Sequence, residues 1–188
     1  MKHPIEILEH YWNFSKFKPQ QEAIIEAVLA NEDCIALLPT GGGKSICFQI
    51  PALIREGICI VVSPLIALMQ DQVNTLNAKG IKAMALTSGF SFEDIDRMLD
   101  NCIYGNYKFL YLSPERLQQD LVQQRIKQMN VNLIAVDEAH CISQWGHDFR
   151  PAYREIKLLR TLHPSVNVIG LTASATSKVI EDISIQLD

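Results

Sequence analysis

Seven consecutive residues, Pro39-Thr40-Gly41-Gly42-Gly43-Lys44-Ser45, put backbone freedom, a positive charge and a hydroxyl into one short loop. Thr40 and the three glycines can turn successive N–H groups toward one anion. The apolar run Ile46, Phe48, Ile50 that follows reads as a helix whose N-terminal dipole points at the same place. Lys44 adds a mobile charge for the outer phosphates of a nucleotide such as ATP, and Ser45 adds a hydroxyl that can reach Mg²⁺. The pattern G-x-x-x-x-G-K-[ST] holds at Gly43, Lys44 and Ser45, whereas Leu38 replaces its first glycine. A glycine turn that caps a helix is the competing reading, but a cap does not call for Lys and Ser after the glycines.

A phosphate loop calls for a second strand that ends in a carboxylate. The apolar run 133–136 followed by Asp137 and Glu138 meets that expectation. Asp137 is placed to hold Mg²⁺ largely through its water shell, because that ion gives up water reluctantly. Glu138, facing differently, can polarise an attacking water. Phosphoryl transfer needs little more from a protein than in-line positioning and charge compensation. Taken alone, Asp-Glu after an apolar strand is an ordinary polar loop; Lys44 in the same chain shifts the reading to hydrolysis.

These residues need a frame. Short runs of Ile, Val, Leu and Ala at 34–38, 58–62, 83–86, 109–112, 133–136 and 168–171 read as six buried strands, nearly continuous in apolar content as a parallel sheet covered on both faces requires. Stretches of helical period lie between them at 44–55, 65–78, 92–102, 116–129 and 152–162, and helices at 5–11 and 20–30 precede the first strand. That alternation predicts a doubly wound α/β fold, a mostly parallel sheet with helices on both faces and ligands at the carboxyl ends of its strands.

Bulk properties bound the function. A chain of 188 residues with 48% hydrophobic content fits one compact domain. Its net charge of −4 argues against gripping nucleic acid by a broad positive field, so any such contact must be local. The five cysteines form no C-x-x-C pair, which points to reduced, mostly buried thiols. His140, Cys141 and His147 lack a second cluster to complete a metal site. No apolar run approaches the roughly eighteen residues of a membrane span, which leads to the expectation of a cytoplasmic protein.

The run from Asp137-Glu138-Ala139-His140 through Cys141-Ile142-Ser143-Gln144-Trp145-Gly146-His147-Asp148-Phe149-Arg150-Pro151 closely resembles the RecQ family of DNA helicases, whose aromatic-rich loop directly follows the acidic motif. Other segments resemble that family in the same order. Phe14 and Phe17-Lys18-Pro19-Gln20-Gln21 match its adenine motif, with Phe14 offering a stacking face and Gln21 an amide for the adenine edge. Lys18 stands where Arg is usual and Phe14 where Tyr is often found, and without the family the segment reads as a helix start with a hydrophobic staple.

Ser63-Pro64 and Ser113-Pro114-Glu115-Arg116 match segments that hold the DNA backbone, although Ser-Pro also reads simply as a helix start, and both readings can hold together. Thr172 and Ser174 match the motif that couples nucleotide to movement. Ser174, in place of a common Thr, keeps a hydroxyl for a bond to the acidic motif.

The resemblance implies a RecA-like P-loop NTPase fold over residues 1–188, with a helical segment at 1–31 carrying the adenine motif. It implies the first motor domain of a 3′–5′ ATP-dependent DNA helicase serving repair and recombination. Lys44, Asp137, Glu138 and His140 become the catalytic set, ATP and Mg²⁺ the cofactors, and single-stranded and partly duplex DNA the partners. A second RecA-like domain with an arginine finger is expected outside these residues, so the 188 residues alone should be nearly inactive. In this frame Trp145 and Phe149 supply stacking faces for bases, His147 and Arg150 supply donors or charge, and Gly146 supplies freedom between them. A loop merely packed on the domain is the alternative for these five. An RNA helicase relative and a nucleotide-gated binding module without hydrolysis are the alternatives for the whole.

Overall fold

The computed structural model describes residues 3–39 and 43–188. Thr40, Gly41 and Gly42, assigned above to the phosphate loop, lie outside the described residues.

The strands are β1 (Cys34–Leu37), β2 (Ile58–Val62), β3 (Ala83–Leu86), β4 (Phe109–Leu112), β5 (Val131–Val136) and β6 (Val168–Thr172). They form one sheet in the order β1-β6-β5-β2-β4-β3, and every pairing is parallel. The expected mostly parallel sheet is thus wholly parallel among the described residues. Each strand side chain alternates between two buried faces. Ile58, Ile60 and Val62 of β2 pack on one face with Ile134 and Val136, while Cys59 and Val61 pack on the other with Leu133 and Ala135. With apolar partners on both sides, no polar residue is needed at alternate positions, which is why the strands read as unbroken apolar runs.

The helices are α1 (Pro4–Trp12), α2 (Gln21–Leu29), α3 (Ile46–Ile54), α4 (Ile66–Ala78), α5 (Phe92–Tyr104), α6 (Asp120–Gln128), α7 (Lys157–Leu162) and α8 (Ser177–Leu187). Helices α2, α3 and α4 bury Val28, Phe48 and Val73 on one face of the sheet; α5 to α8 bury Leu99, Ile126, Leu159 and Ile183 on the other. A satellite cluster of Ile7, Leu8, Ile25 and Ile50 attaches α1 through α2 and α3.

The elements depart from the expected ones in three places. The helix expected over 116–129 divides into a 3-10 turn, Pro114–Gln118, and α6, because Gln119 is extended at ψ 126°. The helix expected over 152–162 begins as a 3-10 turn, Pro151–Ile156, and runs into α7 through Ile156 and Lys157, both in the right-handed helical region. Helix α8 was not assigned from sequence, although Thr176 caps it by accepting from the Val179 N–H at 3.3 Å and Val179, Ile183 and Leu187 repeat every four residues on its buried face.

The amino end of the sheet is fastened by Arg55, which donates to the carbonyls of Asn132 (2.8 Å) and Val28 (2.7 Å) and to the side chains of Asn167 (2.8 Å) and Asn31 (2.9 Å). With that end fixed, the parallel register sends all six carboxyl ends to the opposite edge.

Candidate nucleotide site and aromatic loop

At that edge β1 leads into Gly43-Lys44-Ser45, β2 into Ser63, β4 into Ser113, β5 into Asp137-Glu138 and β6 into Ser174. Segments far apart in sequence are neighbours here because Val62 of β2 is in register with both Leu112 and Val136. A cleft of about 770 Å³ opens there, lined among others by Lys44, Ser45, Asp137, Glu138, His147 and Ser174. A smaller cavity of about 320 Å³, beside Asp33 and Arg160, contains none of the predicted site residues.

Lys44 Nζ lies 3.7 Å from Glu138 Oε1, and His140 Nε2 lies 3.5 Å from Glu138 Oε2. Glu138 has φ 50° and ψ 46°, a left-handed conformation that costs a non-glycine residue about 1–2 kcal/mol. The corner holding it there is bonded on several sides. Asp137 N–H donates to Val62 O (2.9 Å), Glu138 N–H to Asp137 Oδ1 (3.0 Å) and Cys141 N–H to Glu138 O (2.9 Å). Burial holds the Asp137 carboxyl above its ordinary range, against the opposing pull of Lys44.

His140 is buried, and its pKa is lowered by desolvation first, against the Glu138 charge. Its Nδ1 is 2.8 Å from Thr172 Oγ1, whose hydroxyl also has Ser174 O at 3.1 Å. The Thr172 hydroxyl has one proton to give, to Nδ1 of a ring protonated on Nε2 or to Ser174 O beside a ring protonated on Nδ1, and in both arrangements Thr172 is hydrogen-bonded to His140. The expected tie between the coupling segment and the acidic motif therefore runs through the Thr172 hydroxyl. Ser174 contributes its carbonyl and N–H, not its side chain, since its residue is exposed and its N–H faces Thr172 Oγ1 at 3.4 Å.

Gln21 is 2% exposed; its Oε1 accepts from Lys18 N–H at 2.8 Å and its Nε2 donates to Gly43 O at 3.1 Å. Its amide thus joins α2 to the phosphate loop. Phe14 is 53% exposed, while Phe17 is partly buried against the satellite cluster, three residues ahead of the α2 cap Gln20 and so not at the staple position.

Ser63 does not cap α4: the capping position is Leu65, and Ser63 Oγ accepts from the Leu65 N–H in a looser 3.5 Å turn before it. Pro64 is half-buried between them. Ser113 does precede a helical start, with Pro114 at its first position. The Arg116 guanidinium donates to Thr87 O and, at 3.1 Å, to Gln119 Oε1, so it braces the exit of β3.

The aromatic loop leaves Trp145 63% exposed with Lys178 Nζ of α8 3.4 Å above its ring. His147 stacks on His140 at 4.6 Å and 15°, Arg154 lies 5.4 Å over the Phe149 ring, and Arg150 pairs with Asp148 at 3.7 Å. Gly146 is required by space, since a Cβ there would stand 2.9 Å from His140 O. His140, Cys141 and Asp148 bring ligand atoms within 4.8 Å of one another, and burial pushes the Cys141 thiol up to about 12.

Sequence reasoning missed two features. Tyr153, fully buried, donates from its hydroxyl to Asp137 O at 2.9 Å. A buried relay also crosses the cleft floor: Gln49 Nε2 donates to Tyr111 OH (3.1 Å), which donates to Gln72 Oε1 (2.8 Å), joining α3 to α4. A tyrosine inside an apolar strand such as β4 was the available signal, since a buried phenol needs a partner.

A wholly parallel sheet with a glycine-lysine loop after one strand and adjacent acids after another defines a P-loop motor domain, and the family model for DEAD/DEAH box helicases matches residues 18–183, so the chain belongs to that family. Within it, the RecQ resemblance holds across nearly the whole chain. The chain is 48% identical over 183 residues to the ATP-dependent DNA helicase RecQ of Bacillus subtilis, covering 96% of this chain and 31% of that protein. It is 45% identical to the probable ATP-dependent DNA helicase RecS of the same organism (95% and 36% covered) and 42% identical to a putative ATP-dependent DNA helicase Q1 of Caenorhabditis elegans (95% and 29% covered).

The chain spans about a third of the length of these curated relatives. Among solved structures, the Hef helicase domain of Pyrococcus furiosus is similar at TM-score 0.71 and 26% identity, over 90% of this chain and 36% of that one. A hypothetical ATP-dependent RNA helicase of Sulfolobus tokodaii shares the fold at TM-score 0.72 and 18% identity, over 100% and 55% of the chains. No described helix is long and apolar enough to cross a membrane.

Proposed function

We propose that residues 1–188 form the first RecA-like motor domain of a RecQ-type 3′–5′ DNA helicase that binds ATP with Mg²⁺ and acts on single-stranded and partly duplex DNA in repair and recombination. The observation that carries this reading is the meeting of Lys44, Asp137 and Glu138 in one cleft, with the Lys44 ammonium 3.7 Å from the Glu138 carboxylate. The oxygen donors fit a hard cation: Asp137 has a carboxyl whose charge burial disfavours until a cation compensates it, and the Ser45 hydroxyl lines the same cleft. Mg²⁺ held by these two would neutralise charge on the phosphate oxygens.

Lys44, with Thr40 and Gly41 to Gly43, holds the phosphates. Phe14, Lys18 and Gln21 attend the base, and for Gln21 this requires exchanging its Gly43 contact for the adenine edge. Glu138, released by Lys44, orients and polarises the water. His140 and Thr172 pass the state of that acid toward Ser174. Trp145, His147, Phe149 and Arg150 receive single-stranded DNA, with Ser63, Pro64, Ser113 and Arg116 along its backbone. A second RecA-like domain of the longer chain completes the nucleotide site. A soluble, cytoplasmic setting, beside the nucleoid in a bacterium, follows from that work.

The test is ATPase activity of the full-length protein with single-stranded DNA, single-stranded RNA or neither. DNA-specific stimulation is expected, lost in Lys44→Ala and reduced at least tenfold in Trp145→Ala, on the order of one lost stacking contact. Equal stimulation by RNA would favour an RNA helicase. Undiminished DNA stimulation in Trp145→Ala would refute the role of the loop.

A further inference from the structure

The aromatic loop is closed on itself. It departs after Ile142 and returns where Arg150 N–H donates to Cys141 O at 2.8 Å and Tyr153 N–H donates to Arg150 O at 3.0 Å. The turn Pro151–Ile156 then carries Tyr153, 0% exposed, back to the strand from which the loop began. Its hydroxyl donates to the Asp137 carbonyl at 2.9 Å. That carbonyl is part of the peptide unit joining Asp137 to Glu138, so its orientation and the direction of Glu138 are set together. Glu138 sits at φ 50°, which a residue with a side chain keeps only where its surroundings hold it.

The other bonds at this corner come from β2 or from the acidic turn itself. The Tyr153 bond instead comes from the far leg of the loop. The ring also packs in the core with Ile142 and Ile156, giving the turn a rigid lever arm.

We propose that Tyr153 is a positioning residue for ATP hydrolysis: its hydroxyl fixes the peptide between Asp137 and Glu138 and carries the state of the aromatic loop to the water-polarising acid. This rests on the reading of Glu138 given above. A displacement of the loop when DNA binds moves the Pro151–Ile156 turn, and the bond passes that movement to one peptide instead of to the whole sheet. Packing alone would be served as well by phenylalanine.

The experiment uses the full-length protein, with Tyr153→Phe and Glu138→Gln assayed in parallel over an ATP titration, with and without single-stranded DNA. Tyr153→Phe keeps the ring. It is expected to lower DNA-stimulated kcat about tenfold, roughly the effect of one misplaced hydrogen bond, with KM for ATP within about twofold and an almost unchanged melting temperature. A kcat within about twofold of the parent, while Glu138→Gln abolishes turnover, would overturn the proposal and leave the reading of Glu138 standing. So would a loss of rate that merely tracks a loss of folded protein in the melt. Full turnover in Glu138→Gln would bring down both.

Discussion

Gly43 offers a sharp test of how the phosphate loop is held. Its φ is +73°, and a Cβ added there would stand 2.2 Å from Gln21 Nε2. In Gly43→Ala the backbone must either leave that conformation or keep it at about 1–2 kcal/mol. The Gln21 amide, the far end of a flexible side chain, can swing away, but only by giving up its bonds to Gly43 O and Lys18 N–H. At about 1 kcal/mol for each bond, the total loss is about 3–4 kcal/mol. For a domain of this size that lowers the melting temperature on the order of 10 °C.

Urea unfolding of the parent, Gly43→Ala, Gln21→Ala and the double variant gives a double-mutant cycle. In the Gln21→Ala background the side-chain part has already been removed, so Gly43→Ala should cost only the backbone part, about 1–2 kcal/mol. Equal costs in both backgrounds would refute the contact between glycine and glutamine. A cost below about 0.5 kcal/mol in the parent would refute the argument from positive φ.

Asp33 accepts from Arg160 at 3.0 and 2.7 Å and from Val168 N–H at 2.9 Å, and the Arg160 bonds hold its pKa below the usual 3.8. A carboxyl depressed in the fold stabilises above its unfolded value and loses that contribution as pH falls through its folded one. Asp33→Asn should therefore melt a few degrees lower at pH 7 and converge with the parent in acid, as thermal melts across pH can check. Gly57 and Gly80 both have positive φ, +105° and +82°, but a Cβ at Gly57 would meet Asn130 O at 2.2 Å while Gly80 has open space. Gly57→Ala should destabilise the protein in denaturant melts clearly more than Gly80→Ala, whose cost is the backbone term of about 1 kcal/mol.

The six strands were legible because a strand buried on both faces has no reason to carry polar residues, so its whole length is visible as an apolar run. That Lys44, Ser45, Asp137 and Glu138 form a candidate site was legible because the chemistry proposed for them depends on adjacent residues, and all four line one cleft. Tyr153, Gln49 and Gln72 were not, since each acquires its partner from a distant segment and looks locally like an ordinary core or helix residue. The same limit explains the coupling segment. Sequence shows two hydroxyls at Thr172 and Ser174, but only the end of β6 decides that Thr172 points inward to His140. Helix α8 is legible too, in the Thr176 cap and the four-residue repeat of Val179, Ile183 and Leu187.

If Lys44 holds phosphate as proposed, its contact with Glu138 makes nucleotide binding an exchange of partners, not the addition of one. The same ammonium that must hold an incoming phosphate already compensates the acid. Part of the proposed attraction for ATP would then be offset by a separation of charges inside the cleft, and Glu138 would lose its lysine partner only when phosphate has taken its place. On the proposed reading, the arming of the acid would be coupled to nucleotide binding, with the His140 ring still beside Glu138 once Lys44 has turned to phosphate.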